Sequence, residues 1–375
     1  MRIAIDARMI RSGSMHGIAR YVFQLLECLK TKTLTHSFFL IINPESPLRK
    51  LSWPDHIHLI TTKAPWISLR EQIMLPLLLK KWRIDLLHAP SFVAPVFCSC
   101  RLVMTIHDLN HLVLPHFYTA FHQFYYRNFV ARCVRHSDRV LTVSHFSKKE
   151  LIKNLGIPES KIFVTYNGVS EAYAPVGDLQ YLAYIKDLYE FPDEFIFCLS
   201  NNKKHKNLHV LVQAYCHANI SIPLVLTSEV EQSLIRTAEV YGKKHQIYFC
   251  KFIQEEHLPA VYSMTKLFVY PSTYEGFGLP PLEALRCGTR VLVSQSTSLP
   301  EVVGQNAVFV NPFDYKEMAS VLEKTLNSPP PSELEKEKAI QHASCFQWNK
   351  MTEKTLKSYE TNIPLADDFP VEVLA

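Results

Sequence analysis

The stretch "FVYPSTYEGFGLPPLEALRCGTR" holds the residue types and spacing best suited to chemistry in this chain of 375 residues. Glu275 and Glu283 lie eight residues apart across a double proline, and three of the ten glycines of the chain fall here. A carboxylate only accepts hydrogen bonds, so two of them suit a ligand rich in hydroxyl groups. Gly276 and Gly278 allow the backbone to approach a ligand. This combination points to a phosphate with several hydroxyls, as in a nucleotide sugar.

The surrounding sequence predicts the elements that position these residues. Residues 267–270 are apolar and indicate a short buried strand. Pro280 and Pro281 suit the first turn of a helix, and Gly288 ends that helix. The first glutamate then lies in the loop and the second in the first helical turn. In an open parallel sheet such a loop binds ligands, and the helix N-terminus attracts anions. The alternative is ordinary glycine and proline punctuation with solvated glutamates.

Composition limits the class of protein. An apolar content of 47% with 20% charged residues is typical of a globular protein, and the length favours two domains. A net charge of +5 suits phosphates or an anionic membrane face and is too weak to argue for nucleic acid. Nine scattered cysteines without zinc-ligand spacing indicate free thiols in a reducing compartment. With neither a signal peptide nor a spanning apolar run, we expect a cytoplasmic protein, with peripheral attachment to the inner face of the membrane left open.

Strands alternate with helices along the chain, which predicts an α/β fold with a doubly wound parallel sheet in each half. We expect two Rossmann-like domains that face each other across a cleft. The irregular segment 170–194 is read as the linker. The expected parts are an N-terminal domain at 1–175, a C-terminal domain at 190–345, a final helix at 346–362 and a disordered tail at 363–375.

Polar residues follow other strands too. Gly13 and Gly17, followed by Arg20, could bring a helix N-terminus to a phosphate, but they form no G-x-G-x-x-G fingerprint, which argues against a dinucleotide cofactor. His107 ends the strand "LVMTIHD" and could donate to a hydroxyl or move a proton. The alternative is a structural histidine.

The segment "SNNKKHKNLHVLVQAY" places Lys203, Lys204 and Lys206 at the predicted start of a helix. Cations there oppose the helix dipole, which a diphosphate partner would explain. A solvated basic loop is the alternative. Further on, Glu301 and Gly304 of "SLPEVVG" are read as a turn and a helix cap.

Together these motifs resemble a known family. "GIARY", "VSHFSKKEL", "YNGV", "NKKHKNL", "EGFGLPPLE" and "SLPEVVG" occur in the order seen in retaining glycosyltransferases of family four, which have the GT-B fold. The resemblance covers nearly the whole chain, including Trp348, and the Glu-x7-Glu spacing is its most specific part. It implies transfer of a sugar, mannose or glucose, from a nucleoside diphosphate to a glycan or lipid-linked acceptor in cell-surface polysaccharide or lipopolysaccharide assembly. It also implies a final helix that crosses back to the first domain, no cofactor and no metal, and the absence of a D-x-D motif agrees.

The resemblance also implies residue roles. Glu275 would bind hydroxyls of the donor sugar, Glu283 would hold the ribose, and Lys206 would neutralise the diphosphate. His107 would face the reaction centre, and Gly17 would lie near the donor phosphates. The loop that would line the sugar and phosphates comprises Gly276, Phe277, Gly278 and Leu279. A protein nucleophile is not obvious, which favours a front-face mechanism in which the diphosphate takes the acceptor's proton; Glu275 as nucleophile is the alternative.

Two positions depart from the family pattern. Asn202 stands where the family usually has an arginine, and Lys203 beside it would substitute as a point charge without the bidentate fork of arginine. Arg290 stands where the family often has a proline. The departure at Asn202 leaves open a catalytically degenerate sugar-nucleotide-binding subunit. A nucleotide-sugar epimerase or hydrolase on the same two-domain fold also stays open, because fold alone cannot separate it from a transferase, although the Glu-x7-Glu spacing favours transfer.

One helical segment allows two interpretations. "WISLREQIMLPLLLKKWR" has an apolar face flanked by Lys80, Lys81 and Arg83, which suits an interfacial helix near a lipid-linked acceptor. The alternative is an ordinary helix that covers the first sheet.

Overall fold

The computed structural model describes residues 1–11, 17–115 and 119–360, apart from the side chains of 120–122 and 127. The chain divides into two compact units. The first comprises 1–168 together with the last described helix, and the second comprises 169–347. Gly13 and the tail at 363–375 lie outside the described residues.

A parallel sheet forms the centre of the first unit, with the strand order β3-β2-β1-β4-β5-β6-β7 among its described residues. Its strands are β1 Arg2–Asp6, β2 Ser37–Ile42, β3 Ile57–Thr61, β4 Leu86–Ala89, β5 Arg101–Ile106, β6 Arg139–Thr142 and β7 Ile162–Val164. Its helices are α1 Gly17–Lys30, α2 Glu71–Lys81, α3 Asn110–Val113, α4 Ala120–Tyr125, α5 Ala131–His136 and α6 His145–Leu155, with α15 Trp348–Ser358 from the end of the described chain. A π-helical segment, Tyr126–Val130, joins α4 to α5.

The second unit repeats this plan with the strand order β10-β9-β8-β11-β12-β13, again all parallel. Its strands are β8 Ile196–Cys198, β9 Leu224–Leu226, β10 Ile247–Phe249, β11 Leu267–Tyr270, β12 Val291–Ser294 and β13 Val308–Val310. Its helices are α7 Leu179–Leu188, α8 Leu208–His217, α9 Gln232–Val240, α10 Leu258–Met264, α11 Leu279–Arg286, α12 Leu299–Val303, α13 Tyr315–Asn327 and α14 Glu333–Ser344.

The expected fold class is confirmed, and the reason is visible in the strands. The central strands are continuous apolar runs such as the fully buried "LFVY" of β11, which only a sheet covered on both faces can hold. In both sheets the order reverses beside the first strand of the unit, between β1 and β4 and between β8 and β11. Ligands of such sheets bind outside the carboxyl ends of the strands at this reversal.

Three local expectations are wrong. The segment read as an irregular linker holds α7, whose N-terminus is capped by the Asp178 carboxylate. Of the lysines expected at the start of a helix, Lys204 and Lys206 lie in a separate 3₁₀ turn, Lys204–Lys206, and Lys203 directly precedes that turn, whereas α8 begins only at Leu208. Glu283 lies in the second turn of α11 because that helix already begins at Leu279.

The last described helix, α15, packs within the first unit. It lies along α1, and Lys32 forms an ion pair with Glu353 at 3.0 Å. Just beyond it, the buried Tyr359 hydroxyl lies 2.7 Å from His88 Nδ1 on β4. Nε2 of the same ring lies 2.9 Å from the Thr105 hydroxyl on β5. Because both ring nitrogens are bonded, the helix end is fixed to the middle of the sheet.

Candidate active site

The reversal in the second sheet brings together two of the residues selected from the sequence. Lys206 follows β8, and Glu275 follows β11, its neighbour in the sheet. The Lys206 ammonium lies 2.6 Å from Glu275 Oε1 and 2.6 Å from the Tyr270 hydroxyl. The Tyr270 hydroxyl donates to the same Glu275 oxygen at 2.9 Å. We call these three residues the lysine–glutamate–tyrosine cluster.

Each charged group in this cluster stabilises the ionised form of the other. Burial raises the pKa of Glu275, but Lys206 outweighs burial and leaves this pKa below its ordinary value. Burial likewise opposes the charge on Lys206, but Glu275 and Tyr270 raise its pKa above the ordinary value. Both side chains remain 15% exposed. The site therefore presents a permanent cation and a permanent carboxylate to any ligand that reaches them.

Hydrogen bonds tie the two loops that carry the cluster. The His205 carbonyl accepts from the Thr273 amide at 2.8 Å and from the Ser272 hydroxyl at 3.0 Å. Asn207 adopts a left-handed conformation with φ of 62°, and its side-chain amide donates to the Pro271 carbonyl at 3.2 Å. Burial lowers the pKa of His205 to about 4, so its ring is neutral beside the lysine at physiological pH. These bonds fix the cation against the carboxylate before any ligand binds.

The glycine-rich loop after Glu275 is held from behind by one serine. The Ser298 hydroxyl lies 3.0 Å from the Glu275 carbonyl and 2.8 Å from the Phe277 carbonyl. Gly276, Phe277 and Gly278 are all buried. Gly278 has a φ of +111°, and a Cβ there would lie 2.5 Å from a Leu299 side-chain carbon. The sharp turn into α11 therefore favours glycine for its backbone conformation, and a Cβ there would also require the Leu299 side chain to move.

The start of α11 offers fewer donors than a typical helix N-terminus. Leu279 is its first residue, and Pro280 and Pro281 carry no N–H. In the first turn only Leu279 and Leu282 can therefore supply backbone donors to an anion. An anion at this end would depend on the helix dipole and on the nearby lysine as well.

Glu283 lies deeper than the rest of the motif. It is 1% exposed, and the Tyr262 hydroxyl of α10 donates to its Oε2 at 3.2 Å. The assignment of this carboxylate to a ribose remains a prediction. For a ligand to contact Glu283, the residues that bury its side chain would have to move.

The departure at Asn202 has a structural role. Its side-chain amide donates to the Glu229 carbonyl at 3.1 Å, and its side-chain oxygen accepts from the Glu229 amide at 3.0 Å. This reciprocal pair continues the association of β8 with β9 beyond the ends of the strands. Lys203 beside it is exposed, and its backbone amide donates to Asn201 Oδ1 at 3.1 Å. The Asn202 side chain thus binds the backbone of a neighbouring loop, at the position where the family usually has an arginine.

His107 and Gly17 belong to the first unit. His107 Nε2 lies 3.0 Å from the Pro90 carbonyl, which can only accept, so this nitrogen carries the proton. Its ring packs edge-on against Tyr21 at 4.7 Å. Gly17 begins α1, and a Cβ there would meet nothing within 4 Å. Packing among the described residues does not require glycine at that position.

Several supporting residues were missed at the sequence level. Tyr270 ends the strand directly before the motif, and an aromatic hydroxyl at a strand end was the available signal. Asn207 could have been selected from the preference of asparagine for left-handed backbone. Ser298 had no such signal, because it lies far from the loop in sequence. "SLPEVVG" forms α12 with Gly304 at its end, as a helix cap was expected.

In 1–11, 17–115 and 119–360, three or more His, Cys, Asp or Glu side chains do not come together in a way that could hold a metal ion. Within the same ranges, every helix is too short or too polar to cross a bilayer.

Comparison with known families then identifies the class of protein to which this fold and this cluster belong. Residues 187–343 match the family Glycosyl transferases group 1, and residues 15–173 match Glycosyltransferase Family 4. The chain belongs to the group 1 glycosyltransferases, with the GT-B fold expected from its motifs.

Relatives and solved structures extend this result. The serotype-specific mannosyltransferase WbdA of Escherichia coli is 34% identical over 260 residues, which cover 66% of this chain and 32% of that protein. The chain thus spans about a third of the length of this relative. The O-antigen chain mannosyltransferase B of Escherichia coli is 28% identical over 289 residues, 75% of this chain and 76% of that protein. The structure of HepE from Anabaena with UDP and glucose has a TM-score of 0.74 at 16% identity over 96% of this chain and 99% of its own, which shows likeness of fold alone.

Proposed function

We propose that this chain transfers a hexose, with mannose as the first candidate, from a nucleoside-diphosphate sugar to a glycan or lipid-linked saccharide. The setting would be the assembly of a cell-surface polysaccharide. Mannose is favoured because both relatives described above are mannosyltransferases, one of them named for the O-antigen chain. The UDP and glucose in the HepE structure support a nucleotide sugar as donor.

The lysine–glutamate–tyrosine cluster is the observation that carries this proposal. An ammonium group has three donors, and Lys206 directs two of them to Tyr270 and Glu275. The third can reach a phosphate oxygen. The Glu275 carboxylate, kept ionised by the lysine, accepts from sugar hydroxyls. One short ion pair at the sheet reversal thus provides adjacent positions for the diphosphate and for the sugar.

The chemical step needs stabilisation of the negative charge that develops on the leaving diphosphate. Lys206 is already fixed before the reaction, and one such preorganised donor is typically worth about 3 kcal/mol. We favour a front-face reaction, in which the leaving phosphate takes the acceptor's proton and the anomeric configuration is retained. Glu275 has its Oε1 occupied by two donors, which lowers its nucleophilicity. Metal is not part of this proposal, because the lysine would supply the positive charge.

The decisive experiment measures release of nucleoside diphosphate from UDP-, GDP- and ADP-sugars, with and without EDTA. We expect slow release from one donor, unchanged by EDTA. Lys206→Met and Glu275→Gln should each lower the rate about 10²–10³-fold, because each removes a charge that stabilises the bound donor or the leaving group. Proton NMR of the product formed with acceptor would report the anomeric configuration.

Matched controls are exposed residues of the same unit. Lys316→Met and Glu317→Gln change exposed residues of α13 and should leave release unchanged. Equal rates for the cluster variants and these controls would remove the cluster from the reaction.

A degenerate binding subunit is the second candidate, and the loss of the family arginine at Asn202 favours it. In that case a nucleotide sugar would raise the melting temperature without being turned over. Asn202→Arg would then test whether the missing fork restores activity. Because this change also removes the bonds to the Glu229 backbone, Asn202→Ala must accompany it as the control.

A further inference from the structure

The outward face of α2 in the first unit is apolar between two basic ends. Arg70, Ile73, Leu77 and Lys80 follow one another at the spacing of a single helix face, and all four are exposed. Ile73 is 67% exposed and Leu77 is 63% exposed. An ordinary covering helix presents polar residues to solvent. We call these four residues, with the neighbouring Met74 that is 37% exposed, the α2 face.

The opposite side of the same helix is packed in the core of the first unit. Leu75 and Leu79 are buried in the core of the first unit at 0% and 1% exposure. Glu71 is fully buried and paired with Arg8 at 3.0 Å. The helix thus has apolar side chains on both sides, and Ile73 and Leu77 of the α2 face lie mostly in solvent.

A further exposed apolar side chain lies in the segment that packs against α2. Gln72 accepts from the Val96 amide at 2.8 Å and donates to the Ala94 carbonyl at 3.1 Å, so the segment at 94–97 lies against α2. Phe97 at the end of this segment is 83% exposed. Single exposed apolar side chains are ordinary, but several next to one another mark a surface that binds something.

The charges around this surface select the kind of partner. Lys80, Lys81 and Arg83 are exposed at one end of α2, and Arg70 is exposed at the other. The acidic residue of the helix, Glu71, is buried and contributes nothing to this surface. Exposed apolar side chains between basic ends suit the headgroup region of an anionic bilayer. There the apolar side chains leave water and the basic side chains lie at anionic headgroups.

We propose that the α2 face binds an anionic lipid bilayer and holds the first unit at the membrane surface. Ile73, Leu77 and Phe97 would enter the boundary between headgroups and acyl chains, and the lysines would lie at the anionic headgroups. This attachment does not depend on which donor or acceptor is used. Binding is therefore measured without turnover, so that failure of this proposal and failure of the proposed function are separate results.

The test is co-sedimentation of the full chain with vesicles of phosphatidylcholine alone or mixed with phosphatidylglycerol. We expect binding to the mixed vesicles that weakens as salt rises. Ile73→Ser with Leu77→Ser should weaken binding about tenfold or more, because two side chains no longer leave water. Lys80→Gln with Lys81→Gln should weaken it about thirtyfold at low salt.

Control pairs come from the second unit. Val240→Ser with Phe252→Ser removes side chains that are 83% and 64% exposed. Lys316→Gln with Lys338→Gln makes the same change in net charge as the lysine pair in α2. Both control pairs should bind vesicles as the unchanged chain does.

Three results would overturn the proposal. The first is equal binding to both kinds of vesicle at low salt. The second is undiminished binding by the Ile73→Ser, Leu77→Ser variant, whose folding is checked by circular dichroism. The third is an unchanged chain that does not bind vesicles and forms a dimer in solution, while the Ile73→Ser, Leu77→Ser variant is a monomer. The α2 face would then bind a second copy of the chain.

Discussion

The two units share a strand order, and each places a cation, a carboxylate and a tyrosine beside the reversal in its sheet. In the first unit these are Arg8, just after β1, with Glu71 and Tyr125. In the second they are the lysine–glutamate–tyrosine cluster described above. In both, the tyrosine hydroxyl donates to the carboxylate that pairs with the cation. The two sets differ in how many donors remain for a ligand.

Arg8 has no donor to spare. Its five N–H groups meet both Asp6 oxygens, at 2.9 and 2.7 Å, Glu71 at 3.0 Å, and the carbonyls of Ala64 and Pro65 at 3.1 and 3.4 Å. The residue is 0% exposed. Burial raises the pKa of Glu71 in spite of this arginine, which is the reverse of the shift at the carboxylate in the second unit.

The strand order therefore places a charged residue at the reversal of each sheet. Whether that residue serves the fold or a ligand depends on how many of its hydrogen-bond donors are already bonded within the protein. A cation whose donors are all bonded and buried holds the fold. A cation with a donor left over, at 15% exposure, can hold a ligand. The predictions below test this distinction, from the largest expected effect to the smallest.

The first prediction compares loss of each cation. Arg8→Met should lower the free energy of unfolding by about 3–5 kcal/mol, because it leaves two buried carboxylates unpaired. Lys206→Met should lower it by about 1 kcal/mol or less, because Glu275 can turn toward water. Urea unfolding of the purified variants measures both.

The control for this comparison is Arg49→Met on the exposed surface of the first unit, which should change stability by less than about 0.5 kcal/mol. Equal destabilisation by Arg8→Met and Lys206→Met would refute the distinction between a cation whose donors are all bonded and one with a donor left for a ligand.

The second prediction concerns buried neutral histidines, one in each unit. Burial lowers the pKa of His88 to about 3 and that of His205 to about 4. Unfolded imidazoles titrate near 6.5, so the unfolded chain binds more protons below that pH. Stability should therefore fall as pH drops from about 6.5, by about 3 kcal/mol per histidine at pH 4.

Urea unfolding at pH 6.5 and pH 4 checks this, with His88→Gln and His205→Gln beside the unchanged chain. Each variant should lose less stability between the two pH values than the unchanged chain does. The same loss in all three would show that other groups govern the acid transition.

The third prediction removes one hydroxyl from each set. Tyr125→Phe should lower the free energy of unfolding by about 1–2 kcal/mol, because a buried Glu71 oxygen loses a donor. Tyr270→Phe should change stability less and lower donor turnover about tenfold, because Lys206 and Glu275 lose the group that orients them. Unfolding and release assays on both variants separate the effects, and a swap of the two phenotypes would count against the comparison.

The fourth and smallest effect concerns the loop beside the second set. Asn202→Ala should lower stability by about 0.5–1 kcal/mol, since two exposed hydrogen bonds to the Glu229 backbone are lost. Faster amide exchange at Glu229 is the direct measurement, with Asn219→Ala elsewhere in the unit as the control. Unchanged exchange at Glu229 would show that the reciprocal pair does not form in solution.

Sequence alone predicted most of the architecture because buried parallel strands are continuous apolar runs with few other interpretations. "LFVY" is the clearest case, and Gly288 ends α11 in left-handed backbone as expected. The helix α7 was missed because Pro175 and Pro192 suggested a linker, although both lie outside its limits. The sequence signal for this helix was Asp178, a residue type that favours the N-cap position.

The site was only partly predictable, because its contacts join residues distant in sequence. The motif indicated Glu275 and the basic loop indicated Lys206, but pairing them required knowledge that β8 and β11 are neighbours. The serine behind the loop, Ser298, and the two roles of Asn202 depend on the same tertiary information. The sequence predicted which charged side chains form the site. It did not predict how many hydrogen bonds each of them makes within the folded protein.

The return of α15 to the first unit has a consequence for synthesis on the ribosome. The whole of 169–347 emerges between the seventh strand and this helix, so the second unit is continuous and can fold first. Tyr359 leaves the ribosome about 190 residues after Gly168, a delay of about 10–40 s at ordinary elongation rates. Until then His88 lacks its Tyr359 hydroxyl partner, and the side of α1 that contacts α15 is uncovered. The nascent first unit therefore exposes, during that interval, the surface that α15 later covers, although its own sheet was made first.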